Sequence, residues 1–400
     1  MTDIGPAKAH NDRNVYILGA GFSADAGLPL IKDFMNRMRD AAAWLEEQRD
    51  RKDELAAIER VLDFRLKASA AAYRVPLDVE NIEELFSLAS ASGSAELSDQ
   101  VTVAIAATLD FCRARVQAPD RNFVSVTKID GPKWDRPQPC NWQLSKQHEQ
   151  RADGTPGVSV YSCPLYELYL GLLCGFFNEV GADRRDTLIS LNYDTVVEDA
   201  LWGLDLPFCY ADSQQVEWQS HQPDHFTQAE REPIRLLKLH GSVNLTTRIS
   251  EDFGLRVWAY GSYRDLLKAG NKPVSVPPTW QKQLSGYLSA VWREAVSALR
   301  TATRVVMLGY SMPQTDQHFR YLLAAGLQEN ISLRRVVAVN LDGEKEEFKR
   351  RLLALLREEH FKPERGLVTI LPYSVGQSFK DEAYRQLIGR TFKAGAWRLA

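Results

Sequence analysis

The chain has 400 residues, a formal net charge of −3, 44% hydrophobic and 25% charged residues. That is enough chain for a large core and more than one compact unit, in an ordinary globular composition. The near-neutral charge gives no electrostatic reason for nucleic acid as the main ligand, and only local basic clusters at Arg334–Arg335 and Lys349–Arg351 stand out.

In chain order, residues 1 to 13 read as a polar tail. Val15 to Leu18 is a short apolar run with strand character, broken by Gly19-Ala20-Gly21 and resuming as a predicted helix from about Ser23. Strand, glycine turn and helix start together form a phosphate cradle: the turn lets backbone approach a pyrophosphate, and the free N–H groups of the helix start face the charge. The third glycine is Gly27, six residues after Gly21, so the spacing departs from G-x-G-x-x-G. Ser23 is placed to cap the helix or to touch a phosphate. A strand, turn and capped helix with no ligand is the alternative.

Ile31 to Ala72 reads as helical, rich in Ala, Leu, Glu, Lys and Arg. Asp78 to Leu88 has the spacing of an amphipathic helix, and Leu97 to Val116 is another. Residues 118–163, rich in Pro, Gly, Asn and Gln, read as a long irregular segment or a small subdomain, and a helix is predicted over Leu165 to Val180. Strand signals then return at 187–191, 235–239, 304–308, 335–339 and 367–371, with helices predicted over 315–328 and 344–358. Near-continuously apolar strands alternating with helices indicate an α/β fold: a Rossmann-like, doubly wound parallel sheet covered on both faces. Residues 246–285 look like an excursion from that sheet. The predicted organisation is a core from 1–34 and 181–400, with a mainly helical insert over 35–180.

Ligands of such sheets bind outside the carboxyl ends of the strands. The residues there are Gly19, Ala20, Gly21 and Ser23; then Asn192-Tyr193-Asp194; then His240-Gly241-Ser242; then Gly309-Tyr310-Ser311; then Asn340-Leu341-Asp342. All five ends offer small or hydrogen-bonding residues, more than turn chemistry alone requires. His240 is the natural acid/base group, with a strand-end histidine bonded to backbone as the alternative. Asn192 offers an amide that holds a hydroxyl or orients a water, or it only forms the turn. Asp194 holds ribose hydroxyls or caps the helix that follows. Gly309 and Ser311 suggest close backbone approach to a ligand or form a plain tight turn, and Asn340 with Asp342 reaches a ribose or belongs to a capping box.

The five cysteines, at 112, 140, 163, 174 and 209, form no C-x-x-C pair, as in a reduced intracellular chain. The first ten residues lack the apolar core of a signal peptide, and the most apolar stretch, Leu165 to Phe177, is interrupted by Glu167 and too short to span a bilayer. A cytoplasmic location is expected. His221 and His225 are four apart, but Pro223 lies between them and no cysteine or carboxylate cluster supports a metal site.

The ordered set Gly19-Ala-Gly-Phe-Ser23 with Ala26-Gly-Leu-Pro29, Asn192-Tyr-Asp194, Leu239-His-Gly241, Gly309-Tyr-Ser311 and Val339-Asn-Leu-Asp342 resembles the sirtuin superfamily, in the family's own order. The resemblance covers the sheet, about half of the chain. It implies that Gly19, Ala20, Gly21 and Ser23 line the pyrophosphate site of NAD, that Asn192 and Asp194 lie by the nicotinamide ribose, that His240 is the base, and that Gly309, Ser311 and Asn340 hold the adenosine half. The protein deacylases of the family carry a structural zinc on two C-x-x-C pairs and a Gln-Asn-x-Asp motif; this chain has neither. Both departures resemble the prokaryotic sirtuin-like branch of anti-phage defence, which hydrolyses NAD. The chain is similar to the sirtuin-like subunit that assembles with a HerA-type hexameric ATPase. What the resemblance implies is an NAD glycohydrolase with no metal, oligomeric, touching nucleic acid only indirectly. NAD-dependent deacylation or ADP-ribosyl transfer would use the same pocket, and a non-catalytic NAD- or ADP-ribose-binding subunit is a further alternative.

Overall fold

The computed structural model describes residues 13–116, 123–129, 139, 141–148, 157–176, 186–211, 216–219, 233–250, 254–275, 287–313, 316–356, 367–379 and 397–399. The strands are β1 (Asn14–Leu18), β2 (Phe123–Ile129), β3 (Gln143–His148), β4 (Val158–Pro164), β5 (Thr187–Ser190), β6 (Phe208–Tyr210), β7 (Val216–Trp218), β8 (Ile234–Lys238), β9 (Gly241–Ser242), β10 (Leu245–Ser250), β11 (Gly254–Ala259), β12 (Val274–Ser275), β13 (Arg304–Leu308), β14 (Arg335–Val339), β15 (Val368–Leu371) and β16 (Trp397–Leu399). The α-helices are α1 (Ile31–Glu46), α2 (Lys52–Ala72), α3 (Ile82–Ala91), α4 (Ala95–Val116), α5 (Leu165–Leu173), α6 (Val196–Gly203), α7 (Tyr263–Lys268), α8 (Tyr287–Thr301), α9 (Gln317–Leu327), α10 (Glu346–Leu355) and α11 (Val375–Ser378).

The main sheet runs β15-β14-β13-β1-β5-β8-β6, and every pairing is parallel. β1, β5 and the last four residues of β13 and β14 are buried, which is why these strands are apolar runs and not alternations. The strands that follow β1 in the chain first lie on its β5 side. The chain then returns to the other side with β13. The strand order therefore reverses between β1 and β13, and a doubly wound sheet opens its ligand crevice at such a point. The α/β reading holds, and six of the seven strands stand where the sequence put them. The seventh, β6, is a three-residue edge strand.

Two expectations are corrected. No helix starts at Ser23: Ala20–Phe22 and Ala24–Ala26 form single 3-10 turns, Gly27 is left-handed (φ 77°), and α1 begins only at Ile31. Pro29 lies between and donates no N–H, so the chain stays extended up to Leu30. The segment read as irregular or as a small subdomain carries three strands, β2, β3 and β4, which form a four-stranded sheet with β16 in the order β16-β2-β4-β3. β4 alternates buried and half-buried residues. The helix expected to run to Val180 ends at Leu173, and Gly175 (φ 68°) turns the chain away.

α1, α2, α3 and α4 pack on one another. α1 buries Phe34, Met35, Met38, Ala41 and Leu45, one helical face. The 246–285 excursion holds the β10–β11 hairpin, to which β7 adds in parallel, and α7. Among the described residues no helix is long and apolar enough to cross a membrane. His221 and His225 lie outside the described residues.

Candidate active site at the carboxyl edge

Because the sheet is all parallel, the five strand ends singled out from the sequence share one edge. β1 and β13 sit side by side there, and their glycine turns lock together. Gly19 N–H donates to Leu308 O (3.0 Å) and Gly21 N–H to Gly309 O (2.9 Å). Gly309 has φ 64°, and a Cβ on it would lie 2.4 Å from Gly21 C and Phe22 N. A Cβ on Gly19 would lie 2.6 Å from Tyr310 Cα. These glycines are thus explained first by backbone packing of one turn on the other.

The loop after β1 spends most of its amides internally: Phe22 N–H on Gly19 O, Ser23 N–H on Ala20 O and Gly27 N–H on Ala24 O. The N–H groups of Ala20 and Ala24 make no hydrogen bond among the described residues, and both residues are partly exposed. Backbone, in place of a helix start, thus supplies the donors left over in this loop. Ser311, exposed two residues past Gly309, adds a hydroxyl on the same edge.

Asn192 ties the end of β5 to this loop. Its Nδ2 donates to Gly19 O (3.0 Å) and Ser23 Oγ (2.9 Å). A carbonyl only accepts, so the atom facing Gly19 O is the nitrogen and the amide orientation is fixed. The other end, Oδ1, makes no hydrogen bond among the described residues. Ser23 is 2% exposed and faces Asn192. Asp194 Oδ1 accepts from Val196 N–H (3.0 Å), the first amide of α6.

His240 follows β8 and is 4% exposed. Its ring meets that of Tyr193 at 6.1 Å between centroids, and Trp292 Nε1 donates to Leu239 O just before it (3.0 Å). The β5 and β8 ends are stitched together: Val243 N–H (2.9 Å) and Ser242 Oγ (3.1 Å) both donate to Tyr193 O. Asn192 and His240 thus stand on adjacent, mutually bonded turns, while Gly19, Ala20, Gly21 and Ser23 are reached through Asn192. Asn340, at the end of β14, donates from Nδ2 to Tyr310 O (3.1 Å) and accepts from Asp342 N–H (2.9 Å). It orders the Gly309–Ser311 turn from the far side. Lys345, which precedes α10, makes no side-chain cap bond, so the capping box is absent.

Burial shapes the electrostatics. It pushes the phenols of Tyr193 and Tyr310 well above their ordinary range, and nearby carboxylates push the same way, Asp316 hydrogen-bonding Tyr310 directly (2.9 Å). Both stay protonated donors.

Two residues had escaped the sequence reading. Tyr166 on α5 donates to Phe22 O (2.7 Å) and accepts from Ala26 N–H (3.0 Å), pinning the glycine loop. In sequence it is one apolar position of a buried helix. Lys238 is fully buried at the end of β8. A lone lysine inside Leu236-Leu237-Lys238-Leu239 was the available signal. Among the described residues no group of His, Cys, Asp and Glu is arranged to hold a metal ion.

Comparison with known proteins agrees in part with the resemblance read from the motifs. Among curated proteins nothing matches the chain. Among solved structures, it aligns with Sir2 in complex with an inhibitor, 2'-O-acetyl-ADP-ribose and a deacetylated p53 peptide at 12% identity and TM-score 0.33, over 93% of this chain and 91% of that one. A Sir2 enzyme aligns at 10% identity and TM-score 0.34, over 95% and 93%. Residues 186–363 match the family model described as a SIR2-like domain, a span from β5 through α10 that holds Asn192, His240, Gly309 and Asn340 but not the β1 glycine loop. Over that span the chain is similar to SIR2-like domains.

Proposed function

We propose that this protein is an NAD glycohydrolase that splits the nicotinamide–ribosyl bond to give nicotinamide and ADP-ribose. The observation that carries the reading is that one turn after β5 bonds both neighbours: Asn192 holds the glycine loop, and the next residue, Tyr193, holds the His240 turn. A dinucleotide laid across the β1/β13 crevice would set its diphosphate against the Ala20 and Ala24 amides and the Ser311 hydroxyl. Its nicotinamide ribose would lie towards β5 and β8.

Cleavage breaks the bond from C1' to the pyridinium nitrogen. The electron pair leaves with nicotinamide, which departs neutral, and positive charge builds on the ribose. A water then bonds to C1'. Asn192 Oδ1 accepts one O–H of that water, and His240 takes a proton from the water or a ribose hydroxyl. General base catalysis is typically worth about a hundredfold to ten-thousandfold. His240→Ala and Asn192→Ala are each expected to fold and to lose about that much NAD cleavage, followed by chromatographic separation of nicotinamide and ADP-ribose. A folded His240→Ala with undiminished turnover sinks the assignment. Release of free ADP-ribose with no acyl-lysine present separates hydrolysis from deacylation.

In the cell we place this activity in anti-phage defence, as NAD depletion by a cytoplasmic oligomer whose partner is a HerA-type hexameric ATPase. Its support is the resemblance of the ordered motifs and the lack of C-x-x-C pairs.

A further inference from the structure

We propose that Lys238 is a positioning residue, whose buried ammonium fixes the Asn192–Asp194 turn against the turn that carries His240. Lys238 and Glu198 are both fully buried, with Nζ 3.4 Å from the Glu198 carboxylate. Lys238 lies on β8, two residues before His240; Glu198 lies on α6, four residues after Asp194. The same ammonium donates to the main-chain carbonyl of Asp194.

A buried ion pair is a poor source of stability. Desolvation takes back most of the attraction, and apolar pairs of like volume are often as stable or more so. Leu236, Leu237 and Leu239 around it are fully buried, so an apolar side chain would suit this strand. What leucine or methionine cannot do is donate to Asp194 O. Four hydrogen bonds hold the Asn192 turn to the His240 turn: Leu239 N–H to Ser190 O (3.0 Å), Val243 N–H and Ser242 Oγ to Tyr193 O, and Lys238 Nζ to Asp194 O. The last is the charged one, and hydrogen bonds from charged groups are the stronger kind.

The carboxylate in turn holds the ammonium. Glu198 accepts from the Tyr210 hydroxyl (3.0 Å), and Asn244 Nδ2 donates to Tyr210 Oη (3.1 Å) and to Tyr260 O (2.9 Å). The chain from Asn244 through Tyr210, Glu198 and Lys238 to Asp194 O lies beneath both turns.

The inference rests on the hydrolase reading for its kinetic arm and stands without it for its structural arm. The experiment compares the full chain with Lys238→Met and with Lys238→Met/Glu198→Leu. The double variant removes both charges, so it keeps the test alive if the single one leaves Glu198 unpaired and fails to fold. For the double variant we expect a melting temperature near that of the parent, KM for NAD within about threefold, kcat down about tenfold or more, and amides 192–196 exchanging about tenfold faster, as loss of a charge-assisted hydrogen bond implies. A kcat within threefold together with unchanged exchange at 192–196 overturns the proposal. If the parent itself cleaves no NAD, the hydrolase reading fails, and the exchange result decides the positioning role alone.

Discussion

Replacing Gly309 by alanine tests the contact on which the crevice is built, and Gly270 supplies its control. Both glycines are left-handed, at φ 64° and 72°, so an alanine at either costs about 1–2 kcal/mol for backbone conformation alone. They differ in surroundings. A Cβ on Gly270 meets nothing within 4 Å, whereas on Gly309 it lies 2.4 Å from Gly21 C and Phe22 N and 2.7 Å from Gly21 Cα. Those atoms are backbone and cannot swing aside, so overpacking adds about 1–3 kcal/mol. The totals are about 1–2 kcal/mol for Gly270→Ala and about 2–5 for Gly309→Ala. For 400 residues an unfolding entropy of about 2.1 cal/mol/K per residue converts each kcal/mol into roughly 1 °C. Calorimetry should therefore show Tm falling by about 1–2 °C and about 2–5 °C. The second readout is protection by NAD, worth about 2.7 kcal/mol at a hundredfold excess over Kd. Gly270→Ala should keep that protection, and Gly309→Ala should lose most of it because the glycine loop has moved. Equal costs for the two alanines, with protection intact in both, would refute the packing of the two turns.

Two more perturbations follow from single contacts. Tyr166→Phe keeps the ring that meets Phe22 edge-on but removes a hydroxyl bonded to both Phe22 O and Ala26 N–H. At about 1 kcal/mol per bond, initial rates should show KM for NAD up several-fold with kcat little changed, and an unchanged KM denies the loop its anchor. Burial pushes the Cys112 thiol up to about 11 and the Cys163 thiol higher still. Since the thiolate is the reactive form, iodoacetamide at pH 8 should leave both unmodified in the folded chain and alkylate them in urea, read by peptide mass spectrometry; rapid labelling of Cys112 in the folded protein would contradict its burial.

The main sheet was legible because its strands are buried on both faces and so appear as unbroken apolar runs. β6 escaped because Phe208–Tyr210 is too short to make a run. The sheet of β2, β3, β4 and β16 escaped for a different reason. Gln143–His148 carries polar side chains throughout most of its length, and β16 joins from the far end of the chain. The shared edge of the five strand ends was legible too, since it follows from parallel pairing. What the side chains do there was not. Asn192 bonds Ser23 across 169 positions, and Lys238 reaches Asp194 across 44. No periodicity encodes such pairings; they exist only once register is set. The helix expected at Ser23 failed because a glycine turn followed by Ala-Asp-Ala supports tight 3-10 turns as well as a helix start, and Gly27-Leu-Pro29 then ends them.

That failure changes how the site must work. Without a helix N-terminus under the glycine loop, the amides left over are those of Ala20 and Ala24, and the loop's shape depends on what holds it from outside: Gly309 behind, Tyr166 beneath, and Asn192 from the side. In the proposed mechanism Asn192 therefore has two duties. Its nitrogen is consumed in holding Gly19 O and Ser23 Oγ, so only the acceptor Oδ1 remains to face a water, and an acceptor leaves that water's lone pair open for attack. Removing the side chain takes away both the acceptor and the tie. Asn192→Ala should accordingly raise KM as well as lower kcat, whereas His240→Ala, as loss of the base, should act mainly on kcat. The two variants losing the same step in the same proportion would mean that Asn192 is a water-orienting amide alone, and that its bonds to the loop do not shape the dinucleotide site.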